Sequence, residues 1–177
     1  MERVLFTEEQ RFTQKWLWVL LIGATLISIV PTIIGIYSQE ILKKPWGNNP
    51  AETGILYLIL LFELVIMGGI ILLIYKIRLK VEIKTESLWF SFPPLARKWK
   101  CIKKEEIARF ETRTYRPVAE YGGWGIKGSN KNKAYNISGN VGLQLYLKNG
   151  RKILFGTQEG PAMEYAMRKM MDSERLK

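Results

Sequence analysis

A chain of 177 residues with 27 Lys+Arg against 16 Asp+Glu carries no histidine and a single cysteine. The lack of histidine excludes a Ser-His-Asp triad, a Cys-His pair and His-ligated zinc, and one cysteine excludes a disulfide framework or any CxxC metal or redox motif. The formal charge of +11 points to an anionic partner, but residues 1–75 hold 5 basic and 6 acidic residues while residues 76–177 hold the other 22 and 10. Apolar content divides the opposite way, which predicts a membrane part followed by a basic soluble part.

Residues 1–15 contain Glu2, Glu8 and Glu9 and read as an N-terminal segment on the cytoplasmic side, not as the basic head of a cleaved signal peptide. Residues 16–36 carry no charge, and residues 54–75 carry only Glu63. Each run is long enough to cross a hydrocarbon core of ~30 Å as a helix, and Trp16, Trp18, Tyr37 and Tyr75 flank them as interfacial aromatics do. Together they predict a transmembrane hairpin over residues 16–75 with an outside loop at 37–53. The loop has only Lys43 and Lys44, whereas Arg3, Arg11 and Lys15 precede the first helix and Lys76, Arg78, Lys80 and Lys84 follow the second. By the inside-positive bias both termini are expected in the cytoplasm, in a multi-pass protein of the cell membrane.

If the two helices pair at equal depth, Glu63 lies level with Ser28, and Gly23 lies level with Gly68 beside Gly69. Those glycines are expected to let the backbones approach closely. A carboxyl group at mid-membrane is expected to keep its proton or take a hydrogen bond from Ser28, Thr32 or a partner subunit. The sharper reading, a proton or cation site, lacks a second acid or base in either helix.

Residues 76–177 begin with strand alternation. Leu79, Val81 and Ile83 interleave with charged residues, and Leu88, Phe90 and Phe92 repeat the pattern after Thr85-Glu86-Ser87. Pro93-Pro94 ends that strand, and residues 97–102 predict a third strand with Trp99 on one face beside Cys101, expected as a small core residue. A fourth strand takes Ala108, Phe110, Thr112 and Thr114 inward. Later, Val141, Leu143, Leu145 and Leu147 lead through Asn149-Gly150, a hairpin signal, to a return strand at 151–155. Pro161 suits the first turn of a last helix, whose Met163, Ala166, Met167 and Met170 fall on one face.

Residues 116–140 form a 25-residue insertion with five glycines and, near residues 133–137, a short strand. Its Gly123-Trp-Gly125-Ile-Lys-Gly128 spells GxGxxG, yet no helical period follows to bring a helix N-terminus to a phosphate. Arg113, Arg116, Tyr121, Trp124, Lys127, Lys133 and Tyr135 are the candidates for binding a ligand or partner: cations for anions, a large indole for contact, glycines for close approach.

The strand pattern at 79–92, the segment IKKEEIARFETR at 102–113 and VGLQLYLKNGRKILFG at 141–156 resemble the pleckstrin-homology-like (PH-like) domain of bacterial membrane proteins. With YGGWGI and KAYN.SG in the insertion, the chain is similar to an uncharacterised bacterial group of two-span proteins. The resemblance implies an α+β membrane protein: a two-helix hairpin, then an antiparallel β-barrel or bent sheet over 76–177, closed by a C-terminal capping helix. Phosphoinositide-binding pleckstrin domains use basic residues on a long loop between their first two strands; here that connection is read as Thr85-Glu86-Ser87, which is short and acidic, so that specificity is not carried over. The expected function is a non-catalytic, membrane-anchored interaction or scaffolding module with no metal and no cofactor. It would bind a membrane-protein partner, a second copy or anionic lipid headgroups, and not nucleic acid, because the basic residues are dispersed without a recognition helix. The competing expectation is a small membrane enzyme or transport component using Glu63 or the Gly-rich loop.

Overall fold

The computed structural model describes residues 2–172. Its chain divides into two units, one comprising the residues up to Phe12 and from Lys76 onward, the other Thr13–Tyr75.

The second unit contains α1 (Lys15–Glu40) and α2 (Thr53–Lys76), each extending the expected run by a few residues. Both are long and apolar enough to cross a membrane, and their surfaces remain uncovered, with Val19, Ile27, Leu58, Phe62 and Val65 exposed. A soluble core helix would bury such a surface. Thr32 Oγ1 donates to Glu63 Oε1 at 3.2 Å, so the carboxyl group meets Thr32, one helical turn beyond Ser28. The loop end is tied by Gln39, which donates to Ala51 O at 3.0 Å and accepts from Thr53 Oγ1 at 2.9 Å. The expected close approach at Gly23, Gly68 and Gly69 is not made: a methyl group added to any of them would meet nothing within 4 Å. The tight glycine is Gly35, where that methyl would lie 2.9 Å from the Trp46 ring. Small residues allow helices to approach but do not compel it, and here the loop indole takes the contact.

The first unit starts with a strand that sequence alternation does not reveal. β1 (Val4–Arg11) pairs antiparallel with β2 (Arg78–Lys84), from Val4 opposite Lys84 to Arg11 opposite Arg78. Residues 4–11 therefore belong to the sheet and are not a separate N-terminal segment, and the helical pair is inserted between two neighbouring strands. Residues 85–86 accordingly join the second and third strands, not the first and second. β3 (Ser87–Phe92) and β4 (Ala96–Lys103) complete a sheet of order β1-β2-β3-β4. After a 3-10 turn at Lys104–Glu106 comes β5 (Ile107–Thr114), in a second sheet with β6 (Gly125–Gly128), β7 (Asn132–Asn136), β8 (Val141–Leu147) and β9 (Lys152–Gly156). Its order is β5-β8-β9-β7-β6, with β7 and β9 parallel and the other pairs antiparallel. The expected barrel or single bent sheet is thus replaced by two sheets, without closure among the described residues: the 3-10 turn interrupts the ladder between β4 and β5.

The core lies between the sheets. Leu79, Val81, Ile83, Leu88 and Phe92 from one sheet meet Leu143, Leu145, Ile153 and Phe155 from the other, and all are buried. Phe90 links them, with ring centroids 4.8 Å from both Tyr135 and Phe155. α4 (Gly160–Asp172) packs on β1, β2, β5 and β8 and buries Met163, Ala166, Met167 and Met170, as its spacing predicts. The β8–β9 turn uses a positive φ of 80° only at Gly150, so Asn149 keeps an ordinary conformation and the two-residue primed turn is not formed.

β1 is held through polar inward positions. Opposite Val81 and Leu79, Glu8 and Gln10 are buried. Glu8 accepts hydrogen bonds from Thr157 Oγ1 at 2.7 Å and the Gln158 N–H at 2.8 Å, and Gln10 Nε2 donates to Gly156 O at 2.6 Å. Glu8→Ala would leave two donors without their acceptor, at a cost of about 1–3 kcal/mol. A lowered thermal midpoint of the sheet domain in the full-length variant is the expected outcome; an unchanged midpoint would separate β1 from the domain's stability.

On the outer face Glu9 meets Lys80 at 3.1 Å, Arg78 at 2.8 Å and Arg11 at 3.0 Å. The Lys80 hydrogen bond, assisted by those from Arg78 and Arg11, lowers its pKa from 4.5 to about 2. The folded-state value lies below the unfolded one, so Glu9's contribution is complete above 4.5 and disappears as the pH falls toward 2. Glu9→Gln should flatten the fall of the unfolding midpoint across that window, modestly because the cluster is solvent-screened.

Candidate functional site

The insertion is folded, and the sheet sorts the expected binding residues onto two faces. α3 (Pro117–Tyr121) ends at Gly122, with φ 72°, and a β6–β7 hairpin follows. Gly128, with φ 85°, is required there, since any side-chain carbon would collide with the Asn132 backbone. The GxGxxG spelling therefore belongs to a hairpin, not to a helix-opening phosphate loop.

On the outer face, Arg113 and Tyr121 are structural. Arg113 pairs with Glu120 at 2.7 Å and donates to Gln144 Oε1 at 3.2 Å. The hydrogen bond with Arg113 holds the Glu120 carboxyl below its usual value, and in return Glu120 holds the guanidinium's pKa higher. Tyr121 is buried with Tyr115, Ala134 and Leu154 in a second apolar cluster, and its hydroxyl lies 3.3 Å from both Gln144 Oε1 and Asn132 Oδ1. Its expected role as a contact residue is corrected: α3 folds it inward because Leu154 and Ala134 leave an apolar strip on this face. Trp124 is half-buried and donates from its indole to Gly139 O at 3.1 Å. Arg116 is exposed, and its backbone N–H donates to Glu120 at 2.8 Å. Lys127, opposite Ala134, is on the outer face.

Lys133 and Tyr135 lie on the inner face. Tyr135 is buried and stacks on Phe155 with centroids 5.7 Å apart, so it too is a core ring and not a surface contact. Its edge and Lys133 nevertheless reach a cavity of about 160 Å³ at an open corner between the sheets, also lined by Lys100, Cys101, Glu106 and Arg151. Sequence reasoning missed Lys100 and Arg151 because they lie far from the insertion. The available signal was a lysine in an inward position of a strand, since Lys100 is opposite the core residue Phe90.

Cys101 is exposed, contrary to its expected place in the core. It lies opposite Trp89 on the outer side of an edge strand, where Trp99 is exposed as well. Partial desolvation, with Glu2 and Glu106 acting in the same direction, raises the thiol's pKa, so the nucleophilic thiolate is disfavoured. Among the described residues no group of three His, Cys, Asp or Glu side chains could hold a metal ion. No protein-family model matches the chain, and no curated protein matches it.

Tyr121→Ala should destabilise the domain by about 3–5 kcal/mol, as other buried aromatic truncations do. Arg116→Ala should leave stability within about 0.5 kcal/mol of the parent. Chemical denaturation of the full chain measures both, and similar costs would contradict the separation of core from surface described here.

Proposed function

We propose that the chain is a membrane-anchored, non-catalytic interaction module, whose sheet domain lies at the cytoplasmic surface of the cell membrane and docks a protein partner, anionic lipid headgroups or both. The observation that carries this reading is the gathering of Lys100, Lys133 and Arg151 at one corner of a domain whose chain continues directly into two membrane-capable helices. None of the three cations joins an ion pair among the described residues. Basic groups near an anionic leaflet contribute ~1 kcal/mol each when they reach it.

The finer fold reading is a PH-like domain of the bacterial two-span kind. In support, β1 to β4, then β5, β8 and β9, and then α4 follow that order, with the helical pair inserted after the first strand and the β6–β7 hairpin after the fifth. Cytoplasmic termini are supported by the Lys/Arg bias, and their lying on one side by β1 and β2 being neighbours in one sheet.

Two measurements test the module. Full-length protein purified in mild detergent should retain anionic lipid and lose it at ~0.5 M salt, where the screening length falls to a few ångströms. A photoreactive residue replacing Trp124 should give a discrete adduct with another membrane protein or a second copy in native membranes, while one replacing Tyr165 on α4 should give none. Absence of both lipid retention and adducts would defeat the proposal, and a reporter after residue 177 found outside the cell would defeat the orientation.

A further inference from the structure

Period-two alternation reserves inward strand positions for apolar side chains, yet two lysines occupy them at one corner. Lys100 of β4 lies opposite Phe90, and Lys133 of β7 lies beside Ile153 of β9. An inward lysine on an edge strand can be a guard against pairing with another chain. That explanation suits β4, which is an edge, but not β7, which has β9 on one side and β6 on the other. Lys133 needs a different reason.

Both lysines line the corner cavity with Arg151, Tyr135 and Glu106. Arg151 is oriented from behind, its Nε donating to Asn130 O at 3.2 Å, which leaves the terminal amino groups for other work. The Tyr135 hydroxyl makes no hydrogen bond among the described residues and is not sealed in the core. The Arg151 charge acts on this phenol, opposing the upward shift that burial produces. Glu106, the single acid lining the cavity, accepts the Lys103 backbone N–H at 3.0 Å and forms no ion pair among the described residues. Three cations and a hydroxyl donor against one acid give the concavity an excess of positive charge that attracts an anion. A cavity of about 160 Å³ encloses a small group and not a whole drug-sized molecule, which needs ~300 Å³ or more.

We propose that this corner binds one phosphate group, as inorganic phosphate or the terminal phosphate of a monoester. The proposal rests on the domain being a binding module and names the chemistry of one of its ligands. A tetrahedral dianion balances the excess of three cations over one acid. Its several acceptor oxygens match a set of ammonium, guanidinium and phenol donors, with guanidinium suited to two oxygens at once.

The test uses the full chain in detergent and its thermal unfolding midpoint. Inorganic phosphate should raise the midpoint saturably, and chloride at equal ionic strength should not. Lys133→Gln, Arg151→Gln and the exposed Lys100→Gln should each weaken phosphate by about tenfold or more, the size of a lost charge-assisted hydrogen bond. Glu106→Gln keeps an acceptor for the Lys103 N–H and should tighten phosphate, which a merely structural role would not do. The second arm places the chain in nanodiscs containing either phosphatidic acid, a monoester, or phosphatidylglycerol, a diester. Stabilisation by phosphatidic acid alone, lost in Lys133→Gln, would identify a lipid as the source of the phosphate; stabilisation by free phosphate alone would identify a soluble one. Equal binding by parent and variants, equal effects of chloride and phosphate, or no response in either arm would overturn the proposal. If lipid retention and Trp124-position adducts persist in that case, the interaction module stands without a phosphate corner.

Discussion

The antiparallel ladder between β1 and β2 is the constraint on which the rest of this structure depends. It joins residues 4–11 to residues 78–84 across the whole helical pair, so the helices replace what would otherwise be a hairpin turn. Closing so long a loop costs little more than closing one half its length, because closure entropy grows only with the logarithm of loop length. An antiparallel helical pair also brings its own two ends together. Thr32–Glu63 and Gln39–Thr53 therefore favour the same closure as the ladder. Inward Glu8 and Gln10 then tie β1 to the segment that starts α4, so the first strand and the last helix share one polar anchor. A strand edge left bare at β2 would present its backbone N–H and C=O groups unpaired.

What could be read from the residues alone follows which faces are apolar. α1 and α2 declare themselves by length, and β2, β3, β8 and α4 by a regular apolar face whose members are all buried or nearly so. β1 is silent because two of its inward positions are Glu8 and Gln10, polar groups whose partners lie about 150 residues away in sequence. A local pattern cannot report a partner at that distance. β4 misleads for the opposite reason: as an edge strand it turns lysine inward and leaves Trp99 and Cys101 outside, inverting the expected assignment. The β6–β7 hairpin is hidden by its glycines, which have no side chains to alternate, and its parallel pairing with β9 is a tertiary choice. In the helical unit, matching depths sets Glu63 level with Ser28, one turn short of the Thr32 it meets, and glycine spacing does not foretell that Trp46 covers Gly35.

The binding candidates were assembled by composition within one segment, and a strand does not keep such a set together. Consecutive residues face opposite sides, so the hairpin sends Lys127 outward and Lys133 and Tyr135 inward. Tyrosines made this sorting hardest to foresee. Tyr121 and Tyr135 have enough apolar surface to complete two separate clusters, and both do so, one through a short helix and the other through an interior strand.

Net charge locates a partner poorly until pairing is counted. Much of the basic excess is already engaged: Arg11, Arg78 and Lys80 share Glu9, Arg113 holds Glu120, and Arg168 holds Glu164. Arg109 lies 3.7 Å from the centre of the Tyr146 ring, whose hydroxyl donates to Glu111 at 2.6 Å. Those charges each have an acidic or aromatic partner at hand, although three of the cations share the single Glu9. Lys100, Lys133 and Arg151 differ because they line one concavity and none of them joins an ion pair among the described residues. Phe90, Tyr135 and Phe155 form the aromatic joint between the sheets, and Phe90 and Tyr135 also line that concavity. The corner thus sets aromatic rings of the core beside three cations without an ion pair among the described residues, and an anion bound there would supply their counter-charge.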